Sequence, residues 1–311
     1  MRETHTLEAA ILRTVLYADI FDYALSVREL HHFLMHHTTV DLAAVEYALS
    51  TSPTLIGSLA YCGGWIMLAD RTALERLRVE RERTTQALWP YAERFGRTLA
   101  RLPFVRMVGL TGALTMHNPS SLHDDFDYLI VTKPGRVWLA RLLSIVVVRW
   151  VRLRGHEICP NYVLAEDRLA QTRRTLYIAH EVAQMTPLFG REVYDRLRDA
   201  NGWTFEHMPN ARYPLHAGEM ARLNRAERWI KHAVEWVLGG RLGDWLEGWE
   251  RRRKMARFAA AAKSAESTAI LGDSQVKGHF NDHGGRVLAQ YRRRLERFGL
   301  TATYDESLAA D

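Results

Sequence analysis

Residues 104–132, FVRMVGLTGALTMHNPSSLHDDFDYLIVT, decide how this chain is read. The pattern predicts a short apolar strand over 104–110, a close turn at Gly112, and a second strand over 126–131 that is apolar on both faces. Strands apolar on both faces sit in the middle of a sheet. Side chains alternate along a strand, so Asp125, Asp127 and Leu129 share one face and Phe126, Tyr128 and Ile130 the other. Two carboxylates therefore point the same way beside a Gly turn.

Like charges at that spacing on an apolar strand are costly unless a cation or a donor neutralises them. A hard divalent cation such as Mg2+ suits the pair, because it takes carboxylate oxygens and leaves positions for phosphates and water. Taken alone, a DxD is more often a pair of solvated acids at a strand mouth, so the order of the surrounding elements has to carry the reading.

That order is apolar strand, Gly turn, short helix, acidic pair, strand. With Gly112-Ala113, Asp125-Phe126-Asp127 and the aliphatic run after it, the segment resembles the nucleotidyltransferases of the DNA polymerase beta type. Together with NYVLAEDRL, LYIAHEVAQMTPLFGREVY and the NGW and PNA segments, the chain looks like a prokaryotic branch of that superfamily, from which no activity carries over. The resemblance implies Mg2+-dependent transfer of a nucleoside monophosphate from an NTP such as ATP to an acceptor, with Asp125 and Asp127 as catalytic metal ligands. Thr111, Gly112 and Ala113 would hold the nucleotide phosphates. Ala113 stands where the family signature has Ser, although backbone N–H groups at such a turn hold phosphate without that hydroxyl. Superfamily members supply a third carboxylate from the following strand, predicted here over 158–164. Glu157, Cys159 and Asn161 share the relevant face, so Glu157 is the acid expected as third metal ligand and Asn161 a neutral alternative; Glu166 and Asp167 lie just past the strand.

The 311 residues, 47% hydrophobic and 25% charged, are enough for two or three domains with a real core. A net charge of +6 suits polyanionic ligands without requiring them. Cys62 and Cys159 are far apart, with no CxxC or Cys/His spacing, so neither a disulfide framework nor a zinc site is indicated and a cytoplasmic protein is expected. The start of the chain lacks the apolar core of a signal peptide. The most apolar stretch, 137–151, is broken by Arg141 and Arg149 and reads as a crossover helix, so no membrane partner is expected.

The expected fold class is α+β: a small mixed-sheet nucleotidyltransferase core, an N-terminal winged helix-turn-helix and a helical C-terminal region. The divisions are 1–70 for the winged-helix-like domain, 71–102 for a connector helix, 103–170 for the core and 171–311 for the helical domain. In the first, Leu7 to Asp19 is helical, Ser26 and Glu29 form a capping box, Asp41 caps a third helix, and 55–61 with 65–68 make a hairpin around Gly63-Gly64. The third helix carries Asp41 and Glu46 with no Lys or Arg, so specific duplex DNA is not the expected partner. The pairs His31-His32 and His36-His37 have no acidic or Cys companion and read as helix-end residues rather than ligands.

The connector is rich in Arg and Glu at i,i+4 spacing, and Pro90 is expected to kink or split it. Beyond Arg168 the pattern is helical throughout, including TLYIAHEVAQMTPLF. Trp229, Trp236, Trp245 and Trp249 read as core residues, and the basic clusters 251–254 and 292–294 as solvated faces. Lys277, His279 and Asp282 fall in a polar loop that could approach a nucleotide. The function expected is NMP transfer from NTP to a small molecule, RNA or protein; the alternative is a non-catalytic nucleotide-binding pseudoenzyme or a winged-helix regulator.

Overall fold

A computed structural model describes residues 6–216, 220–262, 270–277 and 282–301. The fold is mixed α+β. Its centre is a six-stranded mixed sheet built from β4 (Val105–Thr111), β5 (Phe126–Thr132), β6 (Ile158–Ala165), β7 (Thr186–Phe189), β8 (Ile270–Leu271) and β9 (Gln275–Lys277), in the spatial order β7-β4-β5-β6-β9-β8. The pair β4/β5 is antiparallel; β5/β6 is parallel, joined by the crossover helix α6 (Val137–Arg152).

Alternation along β5 divides two cores. Phe126, Tyr128 and Ile130 pack on one face with α5 (Leu74–Ala100) and α6, while Leu129 and Val131 pack on the other with α7 (Leu176–Gln184) and α8 (Arg191–Ala200). Asp127 therefore emerges on the α7 side.

The N-terminal elements are α1 (Leu7–Asp19), α2 (Val27–His32), α3 (Leu42–Thr51), α4 (Pro53–Ser58) and a three-stranded sheet of β1 (Leu25–Ser26), β2 (Leu59–Cys62) and β3 (Trp65–Leu68). The capping box forms: the Ser26 hydroxyl accepts from the Glu29 N–H, and Glu29 accepts from the Ser26 N–H. The core under these helices is shared with the rest of the chain. Leu12, Leu16 and Tyr17 pack in one cluster with Leu176 and Ala179 of α7 and with Val287 and Tyr291 of α12 (His283–Arg297). Asn210 of the PNA segment donates to the carbonyls of His31 and Val40 and accepts from the Val40 N–H, tying the two halves together.

Four local expectations are corrected. Residues 53–58 are helical and only 59–62 pair as a strand, because the Ser52 hydroxyl accepts from the Leu55 N–H with Pro53 in the first turn, a helix start. Helix α5 runs unbroken through Pro90, which lies on the exposed side, where water can satisfy the Gln86 carbonyl one turn earlier. Residues 186–189 leave the helical pattern to form β7, an edge strand, where Pro187 costs no ladder bond. Trp229, Trp236, Trp245 and Trp249 are all exposed, because the helices that carry them, α10 (Arg225–Val237) and α11 (Arg241–Ala262), turn charged faces to the body.

Arg78 of α5 binds the N-terminal elements to the sheet. Its buried guanidinium pairs with Glu29 at 2.8 Å and Glu82 at 2.6 Å, and donates to the Ala24 carbonyl, the His117 carbonyl and the Tyr23 hydroxyl. Arg78→Ala strands the Glu29 carboxylate, itself nearly inaccessible, without its cation. Removing one partner of a buried pair costs about 3–5 kcal/mol, so a clear fall in melting temperature and denaturant midpoint is expected.

Candidate functional site

Two neighbouring strand ends and the turn between them build the site. β4 ends at Thr111, which pairs with Asp127 across the sheet. Gly112 follows with φ +74, a left-handed conformation that side chains rarely adopt, and opens a 3-10 turn over Ala113–Met116. A Cβ at Gly112 would collide with the Asp127 carboxylate oxygen. Conformation and carboxylate thus both demand glycine here, and the turn wraps closely around the acid. Gly112→Ala is expected to displace the Asp127 side chain and strain the turn, lowering both melting temperature and ligand binding.

The turn is anchored from behind. The Asn118 N–H donates to the Ala113 carbonyl, its side chain joins Arg81 to the Phe21 carbonyl, and His117 Nδ1 meets Glu82 at 2.7 Å. His117 and Asn118 therefore clamp the loop to α5 and the N-terminal segment.

Asp125, Asp127 and Cys159 each offer a ligand atom, and these atoms lie within 4.8 Å of one another. Asp125 is exposed at the mouth, and Asp127 is partly buried below it. Between Asp127 and Leu129 the register against β6 shifts, from Asp127 opposite Cys159 to Leu129 opposite Tyr162, so β6 carries an extra residue there. Asn161 in this bulge donates from Nδ2 to Asp127, and the Cys159 thiol donates to Asn161 Oδ1 at 2.7 Å. Burial, then the neighbouring Asp125 and Glu181 charges, push the Asp127 carboxyl up to about 8, against the Asn161 bond. Burial and the same pair of aspartates push the Cys159 thiol up to about 12.

Glu157 does not join this group. It pairs with Arg152 at the exposed start of β6, and its carbonyl accepts from the Phe126 N–H. A further acid at the cavity comes from α7: Glu181, whose carboxyl burial raises to about 7 while Lys277 opposes the shift. Gln184 Nε2 donates to Glu181 Oε1 at 2.8 Å. The nearby Tyr177 phenol is pushed up, chiefly by the Glu181 charge and then by burial.

Asp125, Asp127, Asn161, Tyr177, Glu181 and Gln184 line one cavity of about 800 Å³, within the range of small-molecule sites. Thr111, Gly112, Ala113, Asp125 and Asp127 all face it. Arg173, Lys277 and Arg286 bring cationic groups to its wall from the loop before α7, from β9 and from α12. Asp282 also lines it, 3.9 Å from Arg173, whereas His279 lies outside the described residues. Toward the N-terminal side the lining becomes aromatic, with Tyr17, Phe21, Tyr23 and Phe33.

Glu181 and Tyr177 had a sequence signal. In LYIAHEVAQ the polar residues at 177, 181 and 184 recur at helical spacing on a helix that, His180 apart, is otherwise apolar, which marks a second face with its own environment. Arg173 and Arg286 had none, because long-range folding alone brings them to β5. In comparisons with known proteins, no family model, no curated protein and no solved structure matches the chain.

Proposed function

We propose that the chain is a Mg2+-dependent nucleotidyltransferase of the DNA polymerase beta type, moving a nucleoside monophosphate from an NTP to an acceptor. The central α+β unit would be its nucleotidyltransferase core and the N-terminal helices with their hairpin a winged-helix-like domain, in a cytoplasmic protein. One observation carries the reading: a single cavity is lined both by a carboxylate pair beside a Gly turn and by Arg173, Lys277 and Arg286. A triphosphate with a divalent cation would complement both sets of groups, the cation suiting the acids and the free phosphate oxygens the cationic side chains.

The donor set fits a hard cation in part. Asp125 and Asp127 are suitable oxygen ligands for Mg2+. Cys159 is not, since Mg2+ does not favour sulfur and the thiol stays protonated near neutral pH. Bound there, the cation would neutralise triphosphate charge and polarise the phosphorus under attack. Thr111, Gly112 and Ala113 would position the phosphates, and Asn161 orients the Asp127 carboxylate. Glu181 would take the proton of the acceptor hydroxyl as its oxygen bonds to the α-phosphorus and pyrophosphate leaves.

The test is a screen with each NTP labelled at the α-phosphate against small molecules, RNA and the protein itself. Covalent label on any acceptor, dependent on Mg2+ and on Asp127, supports the reading. NTP binding without transfer assigns a nucleotide-sensing pseudoenzyme, and absence of both removes the nucleotide reading.

Specific duplex DNA is not proposed as a partner. Helix α3, the candidate recognition helix, exposes Glu46 and Tyr47 and carries no basic side chain. The full chain is expected to bind duplex DNA weakly, without sequence preference and with strong salt dependence in an anisotropy titration. Sub-micromolar, sequence-selective binding at physiological salt would restore the regulator reading.

A further inference from the structure

Helix α10 is amphipathic the wrong way round, and α11 likewise turns Glu247 and Glu250 inward. On a helix packed on a globular domain the apolar stripe faces inward. On α10 the inward stripe is Glu227, Lys231 and Glu235, at i, i+4 and i+8. Glu227 pairs with Arg101, the buried Lys231 ammonium donates to the carbonyls of Ala100 and Val105 at 2.7 and 2.6 Å, and Glu235 pairs with Arg106 and accepts from the Phe104 N–H. Polar docking of this kind satisfies each group and leaves the apolar residues outside.

Those residues form a broad solvent-facing stripe. Trp229 is 72% exposed and Trp236 85%, with Ile230, Val234 and Val237 beside them on the same side. On α11, Leu242, Trp245 and Trp249 recur at i, i+3 and i+7, all exposed, with the two tryptophan rings stacked at 6.5 Å. Single exposed apolar residues are ordinary, but a cluster of them on each of two successive helices marks an interaction surface.

Charge chooses the partner. The acids on these helices are committed to the protein: besides Glu227 and Glu235, Asp244 pairs with Arg136, Glu247 accepts from the Trp138 and Leu139 N–H groups, and Glu250 is buried against Arg253. Exposed Arg225, Arg228, Arg241 and Arg252 remain at the borders of the stripe. A second copy docked through the same stripe would bring like arginines together. Single-stranded nucleic acid would find tryptophans to stack on, but no use for Ile230, Val234, Val237 and Leu242. An anionic bilayer surface accepts every part: aliphatic groups below the headgroups, tryptophans at headgroup level, arginines on the phosphates.

We propose that α10 and α11 form a peripheral docking face for anionic phospholipid membranes, lying in the interface without crossing it. Among the described residues no helix is long and apolar enough to cross a membrane, which is compatible with a surface-lying mode. The expectation that no membrane partner exists rested on spanning segments and did not address such a face.

The experiment is co-sedimentation of the full chain with phosphatidylcholine vesicles, with and without phosphatidylglycerol, at low and high salt, read with tryptophan fluorescence. Binding to the anionic vesicles, weakened by salt and accompanied by a blue shift, is expected. Trp229→Gln with Trp236→Gln should weaken partitioning by about tenfold or more, and Arg225→Glu with Arg228→Glu should lower it on anionic vesicles, with melting temperatures close to wild type. Trp236→Gln alone, at the most exposed of these positions, guards against misfolding of the double variant. Failure of the wild-type chain to bind anionic vesicles would overturn the proposal, as would equal binding to neutral ones. So would a concentration-dependent dimer that Trp236→Gln dissociates without any vesicle binding.

Discussion

Asp127→Asn should reduce transfer of the α-phosphate label by roughly a thousandfold or more and at the same time raise the melting temperature of the cation-free protein. The first effect follows from losing one of two carboxylates that would hold the cation. The second follows from the cost of that carboxylate in the empty fold, where burial and the charges of Asp125 and Glu181 hold its carboxyl at about 8 rather than the ordinary 3.8. Asn keeps the shape and removes the charge.

The sign is fixed by linkage. Asp127 and Glu181 bind protons more tightly folded than unfolded, titrating at about 8 and about 7 against 3.8 and 4.5. Between those values the folded state carries the extra protons, so the contribution of these two groups to stability is highest at low pH and declines as pH rises through about 5 to 8, against the buried His32, His180, His207 and His216, whose lowered pKa values favour the folded state as pH rises. At about 1.4 kcal/mol for each tenfold difference in proton affinity between the folded and unfolded states, the decline amounts to a few kcal/mol, reduced by solvent at the cavity mouth. Melts from pH 5 to 9 should show the melting temperature of Asp127→Asn gaining on that of the wild type as pH rises, a gap that Mg2+ narrows and to which the histidines, common to both proteins, do not contribute. A variant that melts below the wild type throughout would identify Asp127 as a structural acid.

Glu181→Gln should lower the rate of transfer by about a hundredfold to ten-thousandfold, the range for loss of a general base, while nucleotide binding changes little. In the wild-type enzyme kcat should rise with pH through about 7 as Glu181 loses its proton, and in the variant that limb should vanish. Loss of the limb separates a proton-accepting group from a residue that only shapes the cavity. An unchanged pH profile in the variant would assign the base elsewhere. The Lys277 ammonium, whose own pKa burial lowers, opposes the shift of Glu181, so Lys277→Met should move the wild-type limb to higher pH.

Much of this site was legible in residues 104–132, because a strand with two apolar faces, a Gly turn and an acidic pair are local features set by side-chain alternation and backbone conformation. Gly112 illustrates it: one residue provides both the positive φ and the space that the Asp127 carboxylate occupies. Strand β6 was legible as the strand that follows a crossover helix, expected over 158–164 and formed by Ile158–Ala165. Strand β7 was hidden because TPLF continues the three-to-four spacing of α7, and only pairing with β4 makes it extended. Glu157 was expected from alternation as the third ligand, but its carboxylate pairs with Arg152 and is not in the group of Asp125, Asp127 and Cys159. Alternation gives the side on which a residue is expected to lie, whereas the partner its side chain takes is set by the folded chain. The tryptophans of α10 and α11 were misread because periodicity reports that a helix has two faces, not which one is inside. Glu227, Lys231 and Glu235 decide that through partners more than a hundred residues away.

The most direct measurement of the central claim is a calorimetric titration of each NTP into the wild-type protein and into Asp127→Asn, with and without Mg2+. Saturable binding of at least one NTP to the wild-type chain is expected, dependent on Mg2+ and lost or strongly weakened in the variant although the variant is folded and melts at or above the wild-type temperature. Absence of any Mg2+-dependent heat with the wild-type protein, together with a variant that melts well below it, would contradict the account and leave Asp125 and Asp127 as structural acids.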